Sequence, residues 1–155
     1  MRFWRLSRAR RARDLTGGYG LLHSGRWNTV GRPVTYCSTV PSLAALEKRV
    51  HVTHPDLLPP QSMVEYDAPD DLQQRTIEPG ALASEWVRRE VDTQRLGNQW
   101  LDSIAEALLV VPSVIMPLSN APDRNVLINH RHPDVPRIRI LRIVSFELDP
   151  RLFQP

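Results

Sequence analysis

The sequence predicts a mixed α+β fold in a single domain over residues 1–155. Short β-prone runs occur along the whole chain, whereas only two segments space their apolar residues three or four apart as a helix does. A length of 155 residues suits one domain and leaves no room for two of ordinary size. Hydrophobic residues make up 41% of the chain and there are four tryptophans, which favours a folded core over disorder.

The first two strands are predicted on either side of a glycine-rich loop. Residues 2–8 place Phe3, Trp4 and Leu6 among arginines, a pattern typical of a strand with one buried face. Residues 17–20 read Gly-Gly-Tyr-Gly, and we expect them to form a flexible loop. The run Pro-Val-Thr-Tyr-Cys-Ser at 33–38 is rich in β-prone residues and predicts the second strand.

Two helices are predicted in the middle of the chain. Pro41 followed by Ser42 is a helix start signal, so a helix is expected over about residues 42–52. Trp100, Ile104 and Leu108 have helical spacing and predict a second helix over 99–109. Between them, residues 62–67 alternate as a strand does, and residues 80–92 are expected to be irregular or a short helix.

Three further strands are predicted towards the end of the chain, over residues 110–116, 125–129 and 138–146. The 14 prolines are spread over the connections, and neither an internal repeat nor a low-complexity tract is present. The chain therefore offers no linker at which it would divide.

The composition indicates in which compartment the protein is expected. The apolar run around residues 107–117 is interrupted by two prolines and is far shorter than the roughly 20 residues of a membrane span, so we expect no membrane contact. Cys37 is the only cysteine, which excludes an intrachain disulfide and suits a reducing compartment; we expect a cytoplasmic protein. The net charge of +3 comes from arginine almost alone, with Lys48 the single lysine.

Glu47 is the residue that stands out physically. The predicted helix has Leu43, Leu46 and Val50 as its apolar stripe, and Glu47 follows Leu43 by four positions and precedes Val50 by three. A carboxylate therefore lies on or beside the buried face. The simpler interpretation is a helix-edge glutamate paired with a nearby arginine.

Three other residues could form a site with Glu47. Arg26 follows a glycine in Ser-Gly-Arg-Trp-Asn, where the backbone can approach a ligand and the guanidinium can bind phosphate in a bidentate manner. Tyr36 offers a ring for stacking, and Ser113 is a hydroxyl within an apolar strand that needs a hydrogen-bond partner. Each also has an ordinary explanation: a turn, core packing, or a satisfied buried hydroxyl.

Common site signatures are missing. The pairs His51/His54 and His130/His132 have no acidic or cysteine partner at a recognised spacing, so we expect no metal site. The sequence contains no phosphate-binding P-loop, no dinucleotide fingerprint and no nucleophile-elbow motif. These absences disfavour the usual kinase, Rossmann and esterase classes.

The ordered set of motifs resembles the RES-domain toxins. The similarity rests on the segments around Arg26, Tyr36, Glu47 and Ser113, followed by Asn-Val-Leu-Ile-Asn at 125–129 and His-Pro at 132–133. The family is named for an arginine, a glutamate and a serine, which match Arg26, Glu47 and Ser113, and Tyr36 matches a fourth shared position. Each motif is loose, whereas the ordered set spans nearly the whole chain.

The resemblance implies a compact mixed sheet with helices, similar to the ADP-ribosyltransferase fold, in the toxin of a bacterial toxin–antitoxin pair. It implies a catalytic site of Arg26, Tyr36, Glu47 and Ser113 that cleaves NAD as a substrate, without a resident cofactor. NAD binding is expected from Arg26, Tyr36, Ser113 and Asn129. The implied partner is a cognate Xre-type helix-turn-helix antitoxin that inhibits the toxin, and a homodimer within that complex is left open.

The chemistry of the four residues suggests their roles. Arg26 would bind the pyrophosphate, Tyr36 would stack on nicotinamide, and Glu47 would stabilise the positive ribose. Ser113 would hydrogen-bond either Glu47 or the substrate, and the acceptor would be water or phosphate.

Two alternative functions are left open. The same residues suit an ADP-ribosyltransferase that modifies a protein or a small molecule. Alternatively, the arginines of residues 2–13 could mark a non-catalytic module for nucleic acid or protein. Because no series of stacking aromatics accompanies those arginines, we favour a solvated surface and expect no direct nucleic-acid binding.

Overall fold

A computed structural model describes residues 1–153 of the chain as one seven-stranded sheet with three α-helices. The α+β class predicted from the sequence is confirmed. In chain order the elements are β1 (Arg2–Arg8), α1 (Gly18–Leu22), β2 (Val34–Ser38), α2 (Pro41–Arg49), β3 (Gln61–Asp67), β4 (Gln74–Thr76), α3 (Glu90–Ser103), β5 (Leu108–Pro112), β6 (Arg124–Asn129) and β7 (Arg139–Phe146). None of the helices in this part of the chain is long and apolar enough to span a membrane.

The strands lie side by side in the order β4-β5-β6-β2-β1-β3-β7. Neighbouring strands are antiparallel except for β4 and β5, which are parallel. The β2–β6 register puts Ser38 opposite Asn125, and the β5–β6 register puts Val111 opposite Asn125. The ends of these three central strands therefore meet near Ser38, Asn125 and Pro112.

Side chains alternate across this sheet, so its two faces bury different clusters. On one face, Val126 and Ile128 of β6 pack with Cys37 and Tyr66. On the other face, Leu127 packs with Trp27 and with Trp100 of α3. Helix α2 lies over β1 and β2 and buries Leu43 and Ala44.

Several predicted elements are corrected by the structure. Residues 18–22 form a helical turn, α1, where a flexible loop was expected. The predicted helix over 99–109 is displaced: α3 begins at Glu90 and ends at Ser103, where Ile104 takes a left-handed conformation with φ 55°. Helix α2 ends at Arg49, three residues early, and β4 was not anticipated.

Candidate functional site

Glu47 is held at the centre of a hydrogen-bond network between α2 and the sheet. Ser113, just after β5, donates from Oγ to Glu47 Oε1 over 2.8 Å. Asn125 of β6 donates from Nδ2 to the same oxygen over 2.6 Å. Within residues 1–153 no donor contacts Oε2, and that oxygen is not buried. One carboxylate oxygen is therefore fixed and the other is free to face a ligand.

The network extends into β2. Ser38 donates from Oγ to Asn125 Oδ1 over 3.1 Å, which sets the orientation of the amide so that its NH₂ group faces Glu47. Ser113 Oγ accepts the backbone N–H of Ile115 over 3.0 Å and thus has its proton available for Glu47. The side chain of Ser113 is 0% exposed. Of its two expected roles, the structure shows the bond to Glu47 and leaves no open surface at Ser113 for a substrate.

Tyr36 connects this network to the segment that carries Arg26. The Tyr36 hydroxyl donates to Asn28 Oδ1 over 2.8 Å and accepts the backbone N–H of Trp27 over 3.0 Å. Burial raises the pKa of this hydroxyl, and the charges of Glu90 and Glu47 raise it further, while the bond from Trp27 and the charge of Arg26 act in the opposite direction. Tyr36 thus lies within electrostatic reach of both Arg26 and Glu47, and its phenol stays protonated.

Gly25 is required for this arrangement. A Cβ at Gly25 would lie 2.8 Å from the Tyr36 hydroxyl and 2.9 Å from Asn28 Oδ1. The sequence suggested that this glycine lets the backbone approach a ligand. The structure shows that it makes room for the tyrosine that holds the turn.

Arg26 is half-buried, with its guanidinium beside α3. Nη1 donates to the carbonyl oxygen of Val87 over 3.1 Å, and Nη2 lies 3.9 Å from Glu90 Oε2. Its side chain is 26% exposed, so part of the guanidinium remains open to a ligand. The structure therefore brings Arg26, Tyr36, Glu47 and Ser113 to one face of the sheet.

Asn129 does not join this cluster. It lies at the opposite end of β6 from Asn125, four residues or roughly 13 Å along the strand. Its amide donates to the carbonyl oxygen of Leu101 over 3.0 Å and accepts the backbone N–H of Arg131, and the side chain is fully buried. The structure thus gives Asn129 a role in the fold, and the asparagine at the site is Asn125.

Asn125 was missed because the sequence alone does not give strand register. Both asparagines flank the same apolar run, Val-Leu-Ile, at 126–128. The available signal was a polar side chain within a buried strand, which must find a hydrogen-bond partner. Only the pairing of Asn125 with Ser38 and Val111 shows which of the two asparagines lies beside Glu47.

Other surface features lie apart from this cluster. A depression of about 430 Å³ runs along the outside of α3, and another of about 390 Å³ is lined by Thr16, His130 and His132 on the opposite side. Neither contains Glu47. Among residues 1–153, no three histidine, cysteine, aspartate or glutamate side chains converge as a metal site requires.

The family model of the RES domain matches residues 2–149. This chain belongs to the RES-domain family. The resemblance inferred from the ordered motifs is thereby confirmed over nearly the whole chain, and it extends beyond the cluster to every strand of the sheet.

Relatives of known name support the assignment. The chain is 37% identical to "Toxin Res" of Pseudomonas putida, over 99% of this chain and 100% of that protein. It is 34% identical to "Prs ADP-ribosylating toxin" of a Sphingobium species, over 98% of this chain and 96% of that protein. Both relatives align with this chain over nearly their whole length.

A solved structure shares the fold. A chain of the crystal structure of the M.tuberculosis MbcT-MbcA toxin-antitoxin complex superimposes with a TM-score of 0.73, at 18% identity, over 98% of this chain and 86% of that chain. At 18% identity this likeness shows that the two chains share a fold.

Proposed function

We propose that this RES-domain protein is the toxin of a bacterial toxin–antitoxin pair and that it breaks the nicotinamide–ribose bond of NAD. The observation that carries the proposal is the Glu47 carboxylate, with Oε1 fixed by Ser113 and Asn125 and Oε2 free. Arg26 and Tyr36 lie on the same face. The names of the relatives support the toxin role.

The reaction needs one well-placed carboxylate. The bond from the ribose C1′ to the nicotinamide nitrogen breaks, and its electron pair goes to that nitrogen, so nicotinamide leaves as a neutral molecule. The remaining ADP-ribosyl group passes through an oxocarbenium-like state, as in other glycosyl transfers. A fixed negative charge at Glu47 stabilises this positive charge, and no general acid is required.

The other residues bind and orient the substrate. Arg26 binds the pyrophosphate through the exposed part of its guanidinium, and the Tyr36 ring packs against nicotinamide. The hydroxyl of Tyr36 is already used by Trp27 and Asn28, so only its ring is available. Ser113 and Asn125 hold Glu47 in place and do not need to touch NAD.

The acceptor decides which product forms. Water gives ADP-ribose and a proton, whereas inorganic phosphate gives ADP-ribose carrying the phosphate on C1′. A second candidate function is transfer of ADP-ribose to a protein, since one relative is named an ADP-ribosylating toxin. The same four residues would build the same transition state for either outcome.

An antitoxin is the proposed partner. A chain with the same fold was solved in a toxin–antitoxin complex. For this chain we propose an Xre-type helix-turn-helix antitoxin that covers the cluster around Glu47 and Arg26. Co-expression with the cognate antitoxin should restore growth that the toxin alone arrests.

Substitution of the carboxylate tests the chemistry. In purified Glu47→Gln protein the rate of NAD consumption should fall at least about 100-fold, because the stabilising charge is gone.

Substitution of the arginine tests phosphate binding. Arg26→Ala should lower kcat/KM by roughly 10- to 100-fold, because phosphate binding is weaker. NAD is followed by chromatography, and circular dichroism checks that each variant is folded.

Matched controls make the result specific. Glu147→Gln removes an exposed carboxylate elsewhere, and Arg10→Ala removes an exposed guanidinium; both should keep wild-type rates. NAD consumption by Glu47→Gln at the wild-type rate would overturn the assignment.

Three incubations separate the candidate acceptors. The wild-type protein is given NAD alone, NAD with phosphate, or NAD with lysate proteins, and the product that carries ADP-ribose is identified by mass spectrometry. ADP-ribose attached only to protein would favour the transferase. No turnover in any of the three would favour a binding module and contradict the proposal.

A further inference from the structure

Helix α3 holds the backbone around Arg26 through a row of polar side chains. Thr93 Oγ1 donates to the carbonyl oxygen of Arg26 over 2.7 Å. Gln94 Nε2 donates to the carbonyl oxygen of Gly25 over 3.0 Å. One turn later, Asn98 accepts the backbone N–H of Thr29 over 3.0 Å. Three bonds therefore tie residues 25–29 to one helix.

Close packing accompanies these bonds. Residues 93, 94, 97 and 98 share one face of a helix. A Cβ at Gly97 would lie 1.8 Å from the carbonyl oxygen of Trp27, so the chain runs against bare helix backbone there. Thr93 and Trp27 are both buried. The segment that carries Arg26 is thus attached to a rigid element and does not behave as a free loop.

The guanidinium itself is also restrained by Val87, just before α3, and by Glu90, the first residue of α3. It donates to the Val87 carbonyl oxygen and lies 3.9 Å from the Glu90 carboxylate. Gln94 Nε2 donates to Glu90 Oε1 over 3.1 Å, which holds that carboxylate in position. A phosphate arriving at Arg26 must therefore compete with the negative charge of Glu90.

We infer that the N-terminal half of α3 sets the affinity of this site for a diphosphate: Thr93 and Gln94 position Arg26, and Glu90 competes with the ligand for its guanidinium. The inference rests on the proposed function, in which Arg26 binds the pyrophosphate of NAD. Thr93, Gln94 and Glu90 are positioning residues, since none of them needs to touch the bond that breaks.

The two kinds of contact predict changes of opposite sign. A pyrophosphate is remote from the nicotinamide–ribose bond, so weaker binding there affects ground state and transition state alike and raises KM with kcat unchanged. Loss of the Thr93 or Gln94 bond should raise KM. Loss of the Glu90 charge should lower it, because the guanidinium no longer has a competing anion.

The experiment measures kcat and KM for NAD in four single variants. Thr93→Val removes the donor to the Arg26 carbonyl oxygen, and Gln94→Ala removes the donor to the Gly25 carbonyl oxygen together with the bond to Glu90. Each should raise KM about 3- to 10-fold with kcat within about twofold. Glu90→Gln should lower KM about 2- to 4-fold. The control is Asp102→Asn near the other end of α3, where Asp102 pairs with Arg32 and Arg131; its KM should match the wild type.

A binding measurement in an inactive background separates this inference from the proposed function. Calorimetry of NAD with Glu47→Gln protein, alone and combined with Thr93→Val or Glu90→Gln, should give Kd changes in the same two directions. If wild-type protein turns over NAD but these variants leave KM and Kd unchanged, or all shift them the same way, the inference is overturned and the function stands. If wild-type protein neither binds nor consumes NAD, both fall together.

Discussion

At the scale of single residues, the site depends on which oxygen of Glu47 is occupied. Two donors converge on Oε1, from Ser113 and from Asn125, so the rotation of the carboxylate is fixed before any ligand arrives. Such preorganisation is the usual source of electrostatic stabilisation in enzymes, because nothing needs to reorient during the reaction. A glutamate on a helix edge is oriented here by Asn125 on β6 and by Ser113 just after β5.

Substitution of Asn125 should change catalysis more than binding. Asn125→Leu removes one of the two donors to Glu47 and should lower kcat about tenfold, with KM near the wild-type value. A hydrogen bond to a charged group is worth about 1.5–3 kcal/mol. The loss is at the low end because the bond from Ser113 remains. Steady-state kinetics with NAD measures both constants. A raised KM with unchanged kcat would contradict a role in holding Glu47.

A carboxylate at the same position gives a pH-dependent signature. In Asn125→Asp, two carboxylates would face each other at hydrogen-bond distance, and such a pair keeps a shared proton to higher pH than a single carboxylate does. Because the proposed reaction uses Glu47 as a charged carboxylate, the activity of this variant should fall at acidic pH and recover as pH rises. The acid limb of the pH–rate profile should therefore move to higher pH than in the wild type.

At the scale of elements, the strands were easier to predict than α3. β1 matches its predicted range, and β2, β3 and β6 match theirs within one residue, because their β-prone runs are bounded by turn residues. α3 was displaced because its buried face includes Thr93 and Gly97, which do not register as apolar, so only Trp100 and its C-terminal neighbours showed helical spacing. β4 is three exposed residues whose only cue is pairing with β5.

Gly97 should be irreplaceable because of what lies against it. In an open helix, Gly→Ala stabilises by about 1 kcal/mol. At Gly97 the added Cβ would overlap the Trp27 carbonyl oxygen at 1.8 Å, and overpacking of this kind costs about 1–3 kcal/mol. Gly97→Ala should therefore lower Tm by roughly 3–10 °C in thermal denaturation. Gly80→Ala is the control, because nothing lies within 4 Å of its added Cβ and its Tm should be unchanged.

At the scale of the whole molecule, the two faces of the sheet have separate tasks. The face with α2 and α3 carries the candidate site, and its four predicted residues could be named from sequence motifs. The opposite face supports the fold, and in the sequence its His130 and His132 had no acidic or cysteine partner at a recognised spacing. The role of these histidines depends on their burial and their contacts, which the spacing of residues in the sequence does not reveal. His130 is the clearest case.

His130 makes folding sensitive to acid. Burial, helped by the charge of Arg5 and opposed by that of Asp14, lowers the pKa of His130 from 6.5 to about 4. Its Nε2 is 2.8 Å from Thr35 Oγ1. Between pH 6.5 and pH 4 the unfolded chain binds a proton at this residue that the folded chain does not, so stability is full above this window and falls as pH decreases through it.

The measurement is Tm across that window for the wild type and for His130→Gln, which can keep a hydrogen bond to Thr35 but does not titrate. Wild-type Tm should fall by roughly 5 °C more than the variant's between pH 6.5 and pH 4. The aspartates with lowered pKa, Asp14, Asp71, Asp102 and Asp149, start from 3.8 and lose their contribution mainly below this window, so they do not mimic the effect. Parallel curves for the two proteins would show that His130 stays accessible to protons in the folded state.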